Sequence, residues 1–278
     1  MAHVVRISIA PVRSLGLEHP EAVDLTDVGV VEDRRFYLID DQGRLVDQLV
    51  AGQLVQVGAH TDPGATRLRL TFPDGTVVDE EIELGEPVVT AIFRRTAAGH
   101  AVIGPWGDAL EGFAGRRVRL VRCDRPGGTR IKNAVSLIGD GSLRELAERV
   151  DRPGVDARRF RMLFELAGAD VHEEDGWLGG RIELGGAVLS ITKPDARCAI
   201  TTHDPDTGVR DLDTLRTIID YRGLRDGRKA DFGVLGEVVE PGRVRVGDEV
   251  RVVEAGHDTF ASHRMRLARR EVDLSPTS

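Results

Sequence analysis

The segment KPDARCAITTHDPDTGVRD, residues 193–211, carries the strongest structural and chemical signal in the sequence. It follows a β-branched stretch that ends at Thr192, and Pro194 is expected to end that strand because proline cannot donate to a β-ladder. Cys198 then lies in a loop beside Arg197. A guanidinium next to an exposed cysteine stabilises the thiolate and should lower the pKa of the thiol. The segment therefore predicts a reactive thiolate at Cys198.

The residues after the cysteine add hydrogen-bond donors and a turn. Thr201 and His203 lie close by in sequence, and the DPDTG stretch at 204–208 combines a proline-fixed φ with a glycine that can take a positive φ. The alternative that Cys198 is unreactive stays open, since a lone cysteine is more often a small buried hydrophobe. For Cys123, which lies in the strand-like RVRLVRC, an unreactive thiol is the preferred interpretation. A Cys198–His203 dyad is disfavoured, because five residues across a tight loop rarely give productive geometry.

Outward from this segment, most of the chain alternates between apolar and polar residues, as short strands do. Strands are predicted at 4–9, 35–40, 44–48, 67–72, 76–84, 87–93, 116–123, 161–166, 181–184, 187–192, 234–240 and 244–253. Helical spacing predicts short helices at 105–113, 142–150 and 212–219, with Asp140 or Ser142 as the cap of the second. Many strands with brief helices favour β-barrels or an α+β fold over βαβ units.

Composition excludes several classes of protein. The 38 Lys and Arg residues are outnumbered by 46 Asp and Glu, and aromatic residues are only 4% of the chain, which argues against nucleic-acid binding. No apolar run approaches the roughly 20 residues of a membrane span. Two cysteines in 278 residues are not a disulfide framework. We expect a cytoplasmic protein that binds neither nucleic acid nor membrane.

The Arg-Cys pair, the following Thr-Thr and the D-P-x-T-G turn resemble the signature of MOSC domains, named for the C-terminal domain of molybdenum cofactor sulfurase. The family includes the mitochondrial amidoxime-reducing component and bacterial relatives. Weaker matches follow in family order: Pro11-Val12-Arg13-Ser14 with P-[VI]-K-S, Asp33-Arg34-Arg35-Phe36 with D-R-R-[FW], Arg159-Phe160-Arg161 with R-F-R, and Phe232-Gly233, Pro241-Gly242 and Gly247-Asp248 with the closing strands. Together these matches span nearly the whole chain.

The resemblance implies a mainly β fold with short helices. An N-terminal β-barrel domain (1–124) would pack on a C-terminal MOSC β-barrel (125–260), followed by a tail (261–278). It also implies a molybdenum–molybdopterin cofactor between the domains, with Cys198 as catalytic residue and metal ligand, since soft thiolates suit such a metal. Forked arginine donors suit a phosphate and a pterin, and a helix start suits an anion. The expected cofactor-binding residues are Arg13, Ser14, Arg34, Ser142, Arg159, Arg161, Arg197 and Thr201.

The chain departs from the family pattern at several positions. Glu32 replaces a common glycine, Asp195 replaces the first cysteine of P-C-x-R-C, and Met162 and Leu163 replace Pro-Asn. Arg13 replaces a lysine, and the two are not equivalent at a phosphate. None of these changes removes the thiolate. They indicate a divergent member with an altered substrate or a weaker affinity for the cofactor.

The resemblance and the departures from it leave three functions open. The first is an oxidoreductase that reduces N-oxygenated small molecules, with electrons from a partner protein because the chain has no flavin, haem or iron–sulfur motif. The second is a sulfur carrier that uses a Cys198 persulfide. The third is a binding module that has kept the fold without the cofactor. Zinc hydrolysis is set aside, since the eight histidines form no HExxH motif.

Overall fold

Seventeen strands and three α-helices account for the regular structure of the described residues, 1–92, 95–130 and 133–256, in the computed structural model. The predicted tail at 261–278 lies outside these residues. In chain order, the strands are β1 (His3–Ile7), β2 (Ala22–Leu25), β3 (Phe36–Ile39), β4 (Leu45–Val46), β5 (Gly58–Thr61), β6 (Arg67–Thr71), β7 (Val77–Glu81), β8 (Glu83–Ile92), β9 (Arg95–Ile103), β10 (Arg119–Cys123), β11 (Val135–Gly139), β12 (Phe164–Ala167), β13 (Arg181–Leu184), β14 (Ala187–Arg197), β15 (Ala230–Glu240), β16 (Gly242–Arg245) and β17 (Val250–Glu254). The helices are α1 (Trp106–Ala114), α2 (Asp140–Arg149) and α3 (Thr214–Arg222), and short 3₁₀ helices lie at Gly52–Gln56, Ala157–Phe160, Glu173–Trp177 and Ala199–Thr202.

Seven strands form a barrel in the order β1-β12-β11-β15-β14-β13-β17. A bridge between His3 and Glu249 joins the first strand to the segment that enters the last, so the sheet closes on itself. Alternate side chains point inward, as the pleat requires. Leu137, Leu189 and Val234, for example, have no exposed surface. This seven-stranded barrel carries the segment quoted above on β14 and the loop that follows it.

Residues 1–9 and 22–30 pack with this barrel. Strand β1 pairs with β12 through His3 and Ala167, and β2 pairs with β16 through Val23 and Val244. Val4 and other apolar residues near the N-terminus accordingly pack in the barrel core. The boundaries of the expected first domain, 1–124, stay a prediction, and its two opening strands pack in the core of the barrel.

The remaining residues up to 123 form what we call the N-terminal unit. A five-stranded sheet (β4-β3-β10-β9-β8) and a three-stranded sheet (β5-β6-β7) share one core with α1. Phe36, Leu70 and Trp106 lie in that core, and the Trp106 indole donates a hydrogen bond to the Leu68 carbonyl at 3.1 Å. The predicted fold class is confirmed: the chain is mainly β with short helices and has a β-rich N-terminal unit packed on a barrel.

Pro194 does not end a strand, contrary to the sequence prediction. Strand β14 continues to Arg197, and Pro194 pairs with Val234 beside a shift of register. Strand β13 pairs with β14 only between residues 187 and 190, so Pro194 lies where β14 has one neighbour in the ladder. A proline is tolerated at such an edge or bulge because its missing N–H is not needed there.

Two further local predictions were wrong. The cap of α2 is Gly139 without a side-chain hydrogen bond, because the Asp140 carboxylate accepts from the Ala169 amide at 3.0 Å instead. The predicted strand 244–253 is two strands, β16 and β17, interrupted by a turn in which Gly247 has a φ of 93°. In the part of the chain that the structure describes, no helix is long and apolar enough to cross a membrane.

Candidate functional site

Cys198 follows the last residue of β14 and is exposed, whereas Cys123 is fully buried in β10. The Cys198 carbonyl accepts hydrogen bonds from the amide and the hydroxyl of Thr201, at 3.2 and 3.1 Å. Thr201 is held in turn by the Thr214 hydroxyl at 3.1 Å. Burial raises the pKa of Cys123 to about 12, so that thiol is inert at neutral pH. The backbone of Cys198 is therefore fixed while its side chain stays accessible.

Cys198 lines a cavity of about 150 Å³ between the barrel and the N-terminal unit, which we call the Cys198 cavity. Seven of the eight residues predicted to bind the cofactor line it. These are Arg13, Ser14, Arg34, Arg159, Arg161, Arg197 and Thr201. The other lining residues are Gln48, Phe160, Ala196 and Ile200. Residues far apart in sequence thus meet around one sulfur atom.

Three of the arginines, Arg13, Arg34 and Arg161, come from separate loops and face one another. Burial, together with repulsion by Arg34, lowers the pKa of Arg161 to about 9 and that of Arg13 to about 10. Arg13 and Arg161 remain charged at neutral pH. Arg13 donates to the Thr129 carbonyl at 2.9 Å, Arg34 to the Arg161 carbonyl at 3.0 Å, and Arg161 to the Leu15 carbonyl at 2.7 Å. These contacts to uncharged carbonyls orient the three guanidiniums.

One buried carboxylate holds the Arg34 loop in place. Asp33 forms an ion pair with Arg34, accepts from the Arg130 guanidinium at 3.0 Å, and accepts from the Ala10 amide at 2.8 Å. Burial alone would raise the pKa of Asp33, but the two guanidiniums and the amide lower it below its usual range. Asp33 therefore stays ionised and compensates only part of the positive charge.

Three residues of this wall have left-handed backbone conformations. Ser14, Arg34 and Arg161 have φ values of 72°, 54° and 51°. Such values cost energy in residues other than glycine and persist where the surrounding structure enforces them, often at functional sites. Here they turn one hydroxyl and two guanidiniums toward the Cys198 cavity.

Arg159 and Arg197 line the same cavity but are neutralised within the protein. Arg159 forms two 2.6 Å hydrogen bonds with the Asp211 carboxylate. Arg197 pairs with Asp195 at 2.8 Å and donates to the Phe232 carbonyl at 2.7 Å. These bidentate and multiply bonded arginines build the wall and position the end of β14. Their charges are compensated by these carboxylates, so they are poorer ligands for an anion than Arg161, which donates to a backbone carbonyl.

Ser142 does not line the Cys198 cavity. It has no exposed surface, and its hydroxyl donates to Glu174 at 2.7 Å and contacts the His172 ring at 3.1 Å. The prediction placed Ser142 at a helix start, which is correct, but its side chain points into the protein. The structure therefore does not bring this residue to the other predicted ligands.

Sequence reasoning gave no role in the site to several polar residues that line this cavity or the adjoining one. Gln48 lines the Cys198 cavity, and Arg130, Asn133 and Asp195 line an adjoining cavity of about 180 Å³ that shares Arg13, Arg34 and Arg161 with it. The sequence did point to Asp33, because this residue is the first of the D-R-R match. Nothing in the sequence pointed to Gln48, since a single glutamine after a strand is an ordinary surface pattern.

The arrangement suits an anionic, sulfur-binding group. Three guanidiniums and the Ser14 hydroxyl match phosphate oxygens, and an exposed cysteine sulfur suits a soft metal. Among the residues with described coordinates, no three His, Cys, Asp or Glu side chains are grouped as a metal site. A metal at Cys198 would therefore have to bring its other ligands with it, as a molybdopterin does. The residues present fit that cofactor.

Family models agree with the geometry. The model of the MOSC domain matches residues 114–251, and that of the MOSC N-terminal beta barrel domain matches residues 1–100. The chain belongs to the MOSC family.

Several known proteins are similar to this chain over most of its length. The mitochondrial amidoxime-reducing component 1 of Mus musculus is 25% identical, with 89% of this chain and 81% of that protein aligned. A molybdenum cofactor sulfurase of Caenorhabditis briggsae is 26% identical over 89% of this chain, which spans only 36% of that protein. The crystal structure of the YUAD protein from Bacillus subtilis is 12% identical, with a TM-score of 0.46, and covers 92% of this chain and 97% of its own.

Proposed function

We propose that the protein is a molybdenum-cofactor-dependent oxidoreductase that reduces N-oxygenated small molecules with electrons from a separate protein. The observation that carries the proposal is the exposed Cys198 sulfur in a cavity lined by Arg13, Arg34 and Arg161. The similarity to an amidoxime-reducing component supports this reaction class, because an amidoxime is an N-hydroxylated compound.

Each group of the site has a task in this proposal. Cys198 supplies a sulfur ligand to molybdenum, and Arg13, Arg34, Arg161 and Ser14 bind the anionic part of the cofactor. When bound, the cofactor supplies two-electron redox chemistry. The overall reaction is R–NH–OH + 2 e⁻ + 2 H⁺ → R–NH₂ + H₂O, in which the N–O bond breaks and water leaves. The electrons come from a donor protein, and the protons come from solvent.

The first test is metal analysis of protein produced in a host that makes molybdopterin. We expect one molybdenum per chain in the native protein and a loss of at least tenfold in Cys198→Ala, since no other described side chain replaces the thiolate. Cys123→Ala is the matched control, because it removes the other thiol and should retain the metal. A well-folded native protein without molybdenum would contradict the proposal and favour a cofactor-free binding module.

A sulfur carrier is the second candidate, favoured by the accessible thiol of Cys198 and the similarity to a molybdenum cofactor sulfurase. In that case a donor persulfide passes one sulfur atom to the Cys198 thiolate and is left as a thiol. Intact mass after incubation with a cysteine desulfurase and cysteine tests it. One added sulfur in the native protein and none in Cys198→Ala would support this function, and an unchanged native mass would exclude it.

A further inference from the structure

The Asp195 cavity, as we call the cavity of about 180 Å³ that adjoins the Cys198 cavity, has hydrogen-bond acceptors as well as cations in its wall. Asp195 and Asn133 both line it. Neither residue belongs to the motifs that the chain shares with the family, and Asp195 replaces a cysteine of the P-C-x-R-C pattern. The acceptors of this cavity are therefore not part of the family pattern.

The side-chain amide of Asn133 is held in one orientation. Asn133 is 8% exposed, and its Nδ2 group donates to the Thr192 hydroxyl at 2.6 Å. That hydroxyl donates to the Leu235 carbonyl at 3.3 Å and therefore acts as an acceptor toward Asn133. The Asn133 oxygen is left buried without a hydrogen-bond partner among the described residues. An unsatisfied buried acceptor costs roughly 1–3 kcal/mol, which a donor on a ligand would recover.

The Asp195 carboxylate is held at one of its two oxygens. Its Oδ2 pairs with the Arg197 guanidinium at 2.8 Å, and that guanidinium also donates to the carbonyls of Phe232 and Phe160 at 2.7 and 3.1 Å. Within the described part of the chain, no hydrogen bond reaches the other oxygen, Oδ1. Asp195 thus has a fixed position and an acceptor atom available for a ligand.

The cofactor of the proposed function is larger than the Cys198 cavity. A cavity of about 150 Å³ holds one benzene-sized molecule, whereas a molybdopterin has three fused rings and a phosphate. The Asp195 cavity lies beside the Cys198 cavity, since Arg13, Arg34 and Arg161 line both. Val135 and Leu235 add apolar surface that suits the flat faces of a ring. The ring system can therefore extend from one cavity into the other.

The far edge of a pterin ring is rich in donors. Its amino-oxopyrimidine ring carries an amino group next to a ring N–H. The guanidiniums of Arg13, Arg34 and Arg161 cannot pair with these groups, because a guanidinium donates hydrogen bonds and accepts none. The free oxygens of Asp195 and Asn133 are acceptors and match them.

We propose that Asp195 and Asn133 determine the specificity of the site for its cofactor by binding the amino-oxopyrimidine edge of the pterin. The inference rests on the proposed function and assigns residues of this chain to a part of the cofactor that the arginines and Cys198 leave unbound. The carboxylate and the amide oxygen accept from the amino group and the ring N–H. The pterin is thereby held at its far edge, while its other end reaches the cavity that contains Cys198.

The test compares pterin with lumazine, which has a carbonyl oxygen where pterin has its amino group. Neither compound has a phosphate, a dithiolene or a metal, so the ratio of their Kd values reports on the ring edge. Fluorescence titrations use the full-length, cofactor-free protein made in a host that lacks molybdopterin synthesis. We expect pterin to bind the native protein at least tenfold more tightly than lumazine, as for a hydrogen bond to a charged group.

Two variants assign this preference to its residues. Asp195→Cys restores the family residue and removes the carboxylate, and Asn133→Leu removes the amide. Each should reduce the preference for pterin to less than threefold. Asn133→Leu carries the test alone if the unpaired Arg197 prevents Asp195→Cys from folding. Asp213→Asn is the control and should keep the native preference, because it changes an exposed carboxylate that lines neither cavity.

The outcomes separate this inference from the proposed function. Equal affinities of the native protein for pterin and lumazine, or no measurable affinity for pterin, overturn the role of the two residues, whatever the molybdenum content. A native preference that persists in the folded variants overturns it as well. Native protein that prefers pterin but carries no molybdenum after production in a molybdopterin-competent host contradicts the proposed function and leaves the assignment of the pterin edge standing.

Discussion

Two groups of polar side chains, one half-buried around Cys198 and one fully buried at the start of α2, differ in how their hydrogen bonds are used. Around Cys198, Arg13, Arg34 and Arg161 donate to backbone carbonyls and keep their charge facing a cavity. At the start of α2, Ser142 and Glu174 bond to each other and are sealed from solvent. The first group is arranged for a ligand, and the second holds elements of the barrel together.

The largest effect is expected at Glu174. Burial raises the pKa of its carboxyl to about 7 against the hydrogen bond from Ser142, which lowers it. The folded state therefore binds the proton more tightly than the unfolded state, and stability falls as pH rises from about 4.5 through 7. Glu174→Gln should remove this loss and be more stable than the native protein by up to about 3 kcal/mol at pH 8. Urea unfolding at pH 5 and pH 8 measures it.

At pH 5 the native protein and Glu174→Gln should differ much less, because the native carboxyl is then largely protonated. A difference between the two proteins that does not change with pH would show that Glu174 does not titrate in this range. Molybdenum content should be the same in both, since Glu174 does not line the Cys198 cavity.

The next effect concerns a charge that faces the cavity. Arg161→Met removes one of three mutually repelling cations and should weaken cofactor retention by about 2 kcal/mol, roughly thirtyfold, as for a lost hydrogen bond to a charged group. The free energy of unfolding should change by less than about 1 kcal/mol, since removing repulsion offsets the lost bond to Leu15. Molybdenum content after dialysis and urea unfolding are the two measurements.

Arg159→Met is the matched control for this comparison. It leaves the Asp211 carboxylate without its bidentate partner, so we expect stability to fall more than in Arg161→Met. If both variants lose stability and metal equally, the distinction between Arg159, which is paired with a carboxylate, and Arg161, which is bonded to a carbonyl, is wrong.

The smallest effect is expected at Ser142. Ser142→Ala removes the donor to Glu174 and the acceptor for the His172 amide, at a cost of about 1–2 kcal/mol in stability. Thermal or urea unfolding should show this loss while molybdenum content stays at the native level. Loss of metal without loss of stability would restore Ser142 as a ligand.

The sequence could predict the charged part of the site because short motifs keep their residue spacing. Arg13, Arg34 and Arg161 each lie in such a motif, and the loop of Cys198 has its own. Ser142 was assigned from a helix start, which fixes where backbone N–H groups point but not which way a side chain turns. Gln48 could not be found, because its burial depends on the turn at Asp47 and on a wall contributed by distant residues.

The fold class followed from the alternation of apolar residues, but strand partners did not. That pattern indicates which face of β1 is buried but not which strand β1 pairs with. The pairing of His3 with Ala167 could therefore not be predicted from it. Pro194 was misjudged for a related reason. The rule on proline depends on how many neighbours a strand has, and only the assembled sheet shows that β14 has one there.

The position of β1 between β12 and the segment leading into β17 has a consequence for synthesis on the ribosome. The first strand is made early but finds its second neighbour only when the residues around 249 have emerged. Barrel closure, and with it the wall that Arg161 and Cys198 contribute, is therefore a late event in translation. A chain released before that point has neither a closed barrel nor a complete cavity.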